Sequence, residues 1–466
     1  MALKINLRNS DLPRKEAKAL RDLLAINGGE PIRSQKDPLA ENSSFVDIKG
    51  LLKSKVFKGG LNSNVRERFE SAFARMCGAK YAVALANGMG AIHSSLAALE
   101  LNPGDEIIVG AIASPSSILA IIAQDCIPIF ADVDPKTGLI TSDEIEKVLT
   151  SRTKAVIAVH FWGFPCDMNP IIELAKEYDL VVIEDCSNSL LAFYKGRTVG
   201  NLAHAGCFSF ETDKDLSIDI GGAVITNTEE YAKMVRNFAY EFCSVERGGF
   251  GKIYSYPGID YRLSNMQSGL LLLELERLAE RIERRRYLAQ RLDEHLKRVK
   301  GLILRECYEG SKGSYEQYHF RIDKRPFHAS LDEIKRAIQA EGLKSIESVY
   351  SYYMPEVISF LNQYIARLSE AGYTDRKLQL KENGSFKKNL KHGVRWRIFE
   401  PYARRTIAKL DYADPDKFIY YGPETSPKAR AYLENTLRFV LTERYSERDI
   451  DDIADIIKKV LDNYRK

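Results

Sequence analysis

The sequence predicts an α/β protein: a large domain with a mainly parallel sheet, then a smaller α/β domain. Short β-branched runs alternate with segments of helical period along much of the chain, the pattern of strand–helix–strand units. One run, Leu180-Val181-Val182-Ile183, has the length and composition of a strand buried on both faces. It ends in Glu184-Asp185, two carboxylates at the carboxyl end of a strand, where open α/β sheets place their ligands. With 466 residues, 45% of them hydrophobic, the chain can bury a large core and divides most simply in two. The expected division is an N-terminal segment over 1–45, a large domain over 46–287 and a small domain over 288–466.

In chain order, polar residues with a short helix from Arg14 to Ala25 lead to Ile26-Asn27-Gly28-Gly29-Glu30-Pro31-Ile32-Arg33. Phe69, Ala72, Phe73 and Met76 recur at helical spacing between Val65 and Cys77. Tyr81 to Ala86 reads as a strand, and Asn87-Gly88-Met89-Gly90 opens a helix from Ala91 to Leu99. Strand, glycine turn and helix start together make an anion site, because free amides and the positive end of the helix dipole face the ligand. Ile107-Ile108-Val109 and the run from Ala155 to Val159 are further strands, and Met168 to Tyr178 is the crossover helix back to Leu180. After Glu184-Asp185 come Gly206-Cys207-Phe208-Ser209-Phe210, Lys214, and a closing strand over Gly221 to Thr226. A long helix from Met266 to Tyr287 bridges to the small domain. That domain ends in a strand at Leu437 to Leu441 and a helix starting at Ser446.

An aspartate at a strand end, followed about thirty residues later by a lysine between short strands, suggests a pyridoxal phosphate site. A lysine amine can hold the aldehyde as a Schiff base, and a carboxylate can keep the pyridine nitrogen protonated so that the ring accepts electrons. On these residues alone a second reading stands beside it, in which Asp185 caps a turn and Lys214 is solvated.

From about Gly59 to Glu276 the chain resembles the DegT/DnrJ/EryC1/StrS aminotransferases, the sugar and aminocyclitol branch of the fold type I pyridoxal phosphate enzymes. Their ordered motifs are matched by Glu184-Asp185, Asn188, Gly196, Gly200, Phe208-Ser209-Phe210, Lys214, Leu216 and Gly221-Gly222-Ala223. The resemblance implies pyridoxal 5'-phosphate as cofactor, Lys214 as catalytic residue, Asp185 on the ring nitrogen and Asn188 on the ring hydroxyl. It assigns the phosphate to the turn at Gly88-Met89 and to Ser209. It also implies an amino-acid donor (glutamate or glutamine), a keto-sugar or keto-cyclitol acceptor, and a homodimer with shared sites. Lys214 favours amino transfer, since the sugar 3-dehydratase variants carry histidine there.

Three positions depart from the family pattern. Met89 stands where a hydroxyl residue is usual, so one side-chain contact to phosphate is lost. Aligned without gaps on Ala131-Asp132-Val133-Asp134, Ser114 takes the place of the aromatic that stacks on the cofactor ring, leaving Ile112 or a partner residue to cover it. Asp260, in Gly258-Ile259-Asp260-Tyr261-Arg262-Leu263-Ser264, replaces an asparagine that reaches a neighbouring subunit's phosphate; a carboxylate there needs a cation beside it. His160, at the end of its strand, reads as structural rather than as a general base.

From about 351 to 424 the resemblance fails. Between Arg376 and Lys409 eleven Lys or Arg face two Glu, interleaved with Phe386, Trp396, Phe399 and Tyr402. This insertion reads first as a solvated basic face or loop, next as a phosphate-recognising lid over a nucleotide-sugar or sugar-phosphate substrate, and last as a nucleic acid contact. Overall 68 basic residues stand against 64 acidic, too even a balance to indicate nucleic acid binding. No apolar stretch approaches the roughly twenty residues that span a bilayer, and the charged N-terminus lacks a secretory apolar core. Seven cysteines, mostly in apolar runs, suit reduced thiols and a cytosolic setting. Two rival readings remain: an aromatising or dehydrating relative, hinted at by the NGGEPIR stretch, and a non-catalytic homologue with a weakened cofactor site.

Overall fold

The apolar runs become strands because each buries both faces. The computed structural model describes residues 23–27, 31–33, 64–212, 214–240, 245–248, 251–254, 258–358, 360–364 and 421–466. In chain order the large domain holds β1 (Tyr81–Leu85), β2 (Glu106–Gly110), β3 (Ile127–Ala131), β4 (Thr153–Val159) and β5 (Val181–Asp185). The short β6 (Phe193–Tyr194) and β7 (Arg197–Thr198), then β8 (Ala205–Ser209) and β9 (Gly222–Thr226), follow. Seven of these form one sheet in the order β1-β9-β8-β5-β4-β2-β3. The pairs β3–β2, β2–β4, β4–β5 and β5–β8 are parallel, whereas β9 runs antiparallel to β8 and β1. The carboxyl ends of β2, β4, β5 and β8 therefore share one edge, and the strand-end carboxylates lie on it.

Helices cover both faces. α1 (Val65–Met76) sets Phe69 and Phe73 edge-on against Phe208 and Phe210, at ring separations of 5.1–5.7 Å. α2 (Gly88–Ala97) is buried along almost its whole length. α3 (Pro115–Ile122), the short α4 (Ser142–Glu146), α5 (Met168–Glu177) and α6 (Glu229–Ala239) complete the layer. The strands β10 (Val245–Gly248) and β11 (Gly251–Tyr254) pair as a hairpin.

α7 (Asn265–Leu296) starts at a capping box in which Ser264 and Gln267 bond each other's backbone. It extends past the expected end at Tyr287, because Leu288, Leu292 and Leu296 continue its buried stripe into a second core. Its earlier apolar residues, Leu271, Leu275, Leu278 and Ile282, join the cluster of Phe69, Phe73 and Phe210. One helix thus runs through two cores. The second core lies on a four-stranded sheet ordered β12-β14-β16-β15: β12 (Leu302–Leu304), β14 (Gln317–Ile322), β15 (Glu347–Ser348) and β16 (Thr436–Val440). β13 (Ser311–Lys312) pairs instead with β6 of the large domain. The helices on the second sheet are α8 (Leu331–Ala340) and α11 (Glu447–Asn463), each started by its own capping box; the short α9 (Met354–Val357) and α10 (Pro427–Leu433) precede α11.

Most of the expected helix from Arg14 lies outside the described residues, as do Gly28, Gly29 and Glu30; Ala25–Asn27 form a single 3-10 turn. The basic stretch Arg376 to Lys409 lies outside them too, but both ends of the insertion are held on the large domain. Tyr353 bridges to Ile112, and the Tyr421 hydroxyl donates to the Pro128 carbonyl at 2.6 Å. Asn362 and Tyr421 exchange hydrogen bonds at 3.0 and 3.2 Å, which brings the two ends together.

Asp293 on α7 gives the small domain a pH dependence. Burial pushes its carboxyl up to about 6, although the Tyr318 hydroxyl donates to it at 2.6 Å. A carboxyl whose folded pKa exceeds its unfolded value supports folding at low pH and loses that support as pH rises through the folded value. Asp293→Asn should therefore raise the unfolding free energy at pH 8, by up to roughly 3 kcal/mol, with the advantage fading towards about pH 4. Chemical denaturation at the two pH values checks this.

Candidate active site

The end of β5 carries two carboxylates with different surroundings. Glu184 is fully buried and accepts four hydrogen bonds: from His160 Nε2 at 2.9 Å and from the amides of Gly200, Leu202 and Ala203 at 2.7–2.8 Å. It ties the loop that precedes β8 to the sheet. His160 Nδ1 accepts the Cys166 amide at 3.0 Å, so its proton sits on Nε2 and points at Glu184. That makes His160 a structural group, in line with the sequence reading.

Asp185, the other carboxylate, is 2% exposed and faces the shared edge. Ser117 Oγ donates to it at 2.6 Å and the Ser187 amide at 3.0 Å. Among the described residues no Lys, Arg or His pairs with it. A buried carboxylate without a counter-charge is costly, and a ligand bringing a cationic N–H would complete it.

Lys214 follows β8 by five residues, on a loop fixed by α7. Arg281 donates to the Asp215 carbonyl at 2.7 Å, and Arg285 forms an ion pair with the Asp215 carboxylate. Burial works against the Arg285 charge, but Asp215, Glu443 and Glu316 hold the guanidinium charged. Lys214 Nζ donates to Glu316 Oε1 at 3.3 Å, and Asn188 Nδ2 donates to the same oxygen at 2.9 Å. Lys214 and Asn188 are therefore brought to one point.

The start of α2 lies close against the end of β8. Asn87 caps α2 by accepting the Gly90 amide at 2.6 Å, leaving the Gly88 and Met89 amides without an acceptor inside the helix. A Cβ on Gly88 would come within 2.8 Å of Ser209 Cβ, so glycine lets the helix start close on Ser209 at the end of β8. The Met89 side chain packs on the large core and supplies nothing polar to the helix start.

Two further positions are placed as follows. Ser114 caps α3, accepting the Ser116 amide at 3.4 Å, and brings no ring face; Ile112 is buried in the core and bridged to Tyr353. Asp260 accepts from Arg262 Nε at 2.8 Å and from its second nitrogen at 2.5 Å, and the guanidinium holds its carboxyl below the usual range. Asp260 is thus paired with a cation two residues further along the chain.

Sequence reasoning missed two contacts. Ser117 was legible, since the gapless alignment that put Ser114 at the aromatic also puts Ser117 at the last residue of the family's PAYTF-x-AT pattern. Glu316 gave no signal, because a carboxylate just before a strand reads as solvated.

A buried acid at the end of a parallel strand, a lysine after the next strand, and a glycine-led helix start beside a serine are what a fold type I pyridoxal phosphate enzyme requires. The chain belongs to the DegT/DnrJ/EryC1/StrS aminotransferase family, whose model matches residues 40–369. It is 36% identical over 219 residues to a GDP-perosamine synthase of Caulobacter vibrioides, covering 47% of this chain and 58% of that protein. It is 39% identical over 235 residues to a dTDP-3-amino-3,6-dideoxy-alpha-D-galactopyranose transaminase of Aneurinibacillus thermoaerophilus, covering 49% and 62%. The matched part thus spans about three fifths of these relatives. The fold is similar to that of an aminotransferase from Psychrobacter cryohalolentis, with a TM-score of 0.71 at 24% identity, covering 91% of this chain and 98% of that one.

Proposed function

We propose that this protein is a pyridoxal 5'-phosphate-dependent aminotransferase. It moves an amino group from an amino acid, glutamate or glutamine, to a keto group of a sugar, nucleotide-linked sugar or cyclitol. The observation that carries the reading is Asp185: a buried carboxylate that no cation among the described residues pairs with, three residues before Asn188, which shares one Glu316 oxygen with Lys214.

When bound, the cofactor supplies an electron-accepting ring conjugated to the carbon that exchanges the amino group. Asp185 would hold a proton on the ring nitrogen, and Ser117 would hold Asp185 in line. Asn188 Nδ2 would donate to the ring hydroxyl. The amides of Gly88 and Met89, with Ser209, would bind the phosphate. Lys214 Nζ would bind the aldehyde carbon and, once displaced by the donor, take the proton from the donor's Cα and deliver it to the carbon on the other side of the transferred nitrogen.

A second copy of the chain is part of this reading. Ile220, Ile259 and Met266 are 41–43% exposed, and Gln267, next to Met266, donates to the Ile220 carbonyl at 3.0 Å, which ties the segment after Lys214 to the start of α7. The setting proposed is the cytosol: Cys77, Cys126, Cys166, Cys186 and Cys207 are buried free thiols. No helix among the described residues is long and apolar enough to cross a membrane.

The test is a purified protein loaded with cofactor, given glutamate or glutamine and a panel of nucleotide-linked 3- and 4-keto sugars and keto-cyclitols, with products read by mass spectrometry. An aminated product is expected with at least one acceptor. Dehydrated or aromatised products, or a protein without a borohydride-sensitive visible band, would contradict the reading.

A further inference from the structure

Glu316 is held in place from several sides. It precedes β14, directly after Tyr315, whose φ is +56°. The Ser314 amide donates to the Gly163 carbonyl at 2.8 Å, and Gly163 is so close to this segment that a Cβ on it would lie 2.5 Å from the Tyr315 nitrogen. From the other side Arg286 Nε donates to the Gly313 carbonyl at 2.7 Å. The turn after β4 and the helix that joins the two cores thus clamp the segment between them. The Glu316 side chain is 3% exposed and that of Lys214 13%.

One carboxylate oxygen receives both Lys214 Nζ and Asn188 Nδ2. An ionised carboxylate only accepts, so the Asn188 amide must turn its NH2 towards Glu316 and not its oxygen. That nitrogen has a second hydrogen to give. An anion in contact with Lys214 also favours the protonated amine over the neutral one.

We propose that Glu316 is a positioning residue that fixes the Asn188 amide with its N–H towards the ligand and holds Lys214 Nζ while it carries the proton between two carbons. This rests on the aminotransferase reading, which assigns Lys214 the proton transfer. The small domain thereby contributes to a site otherwise built by the large one. Asp215, next to Lys214, is engaged by Arg285 and Arg281, and Arg281 also pairs with Glu274, so these charges compensate each other. Glu443 pairs with Arg285 from beyond α7.

The test uses the full chain freed of cofactor and treated with cyanate across a pH series. Carbamoylation of Lys214 is compared by peptide mass spectrometry with that of Lys136, whose side chain is 66% exposed. Near neutral pH, Glu316→Gln should speed the reaction at Lys214 about tenfold, with Lys136 unchanged. In strongly alkaline solution the wild-type and variant rates should converge, because the amine is then neutral in both. Glu316→Asp, which keeps the charge on a shorter arm, should give a smaller rise, and it carries the test if the glutamine variant does not fold. An unchanged rate at neutral pH overturns the proposal. So does an equal rise at every pH, which would mean looser packing alone. Failure of the cofactor to attach to Lys214 in the wild-type protein would instead overturn the aminotransferase reading and leave the cyanate comparison standing.

Discussion

Lys214→Ala should lose the borohydride-sensitive visible band and lower turnover on the order of 10⁴-fold, the upper range for removal of a positioned acid–base group. The loss is expected in chemistry and not in folding. The loop's position comes from neighbours of Lys214: Arg281 on the Asp215 carbonyl and Arg285 on the Asp215 carboxylate. Circular dichroism should therefore match the wild type. Lys214→Arg supplies the control, since it keeps a cation beside Glu316 but cannot act as an amine nucleophile at working pH. It too should be inactive. Added small primary amines should restore part of the alanine variant's rate and none of the arginine variant's, because arginine fills the space the amine would occupy. Activity in the unrescued alanine variant equal to the wild type would remove Lys214 from the mechanism.

Asp185→Asn should have the second largest effect, a fall in turnover of about 10²–10³-fold, the range for loss of one preorganised electrostatic group. Asparagine keeps the size and can still meet Ser117 and the Ser187 amide, the two partners of Asp185 at 2.6 and 3.0 Å. What it loses is charge. The same reasoning predicts a sign for stability. Without cofactor, the variant should be as stable as the wild type or more so, since a buried anion has been neutralised. With saturating cofactor the order should reverse, because the wild type gains more from a ring that brings a proton to Asp185. Thermal melts of both proteins, with and without pyridoxal phosphate, read this reversal. Equal gains would show that Asp185 does not face the ring nitrogen.

Residues whose placement follows from local chain geometry were legible in the sequence. The strand ending in Glu184-Asp185, the glycine turn at Asn87-Gly88 and the lysine loop all combine short-range pattern with a chemical type, and the structure puts them on one edge of a sheet. The two carboxylates at the end of β5 could not be assigned separate environments from sequence, because the amides that engage Glu184 come from residues 200–203. The length of α7 was underestimated for a related reason: its last turns are stabilised by a second core whose strands come later in the chain. Glu316 lies 102 residues from Lys214, and only the meeting of two domains makes them neighbours. Ser114 and Asp260 were recognisable as departures, but the cap on α3 and the pairing with Arg262 became visible only in three dimensions.

A crystal structure of the protein loaded with pyridoxal phosphate tests the central claim most directly. The account predicts continuous density from Lys214 Nζ to the cofactor's aldehyde carbon and an Asp185 oxygen about 2.7–3.0 Å from the ring nitrogen of the same molecule. A ring bound elsewhere, or bound at Lys214 with its nitrogen turned away from Asp185, would contradict it.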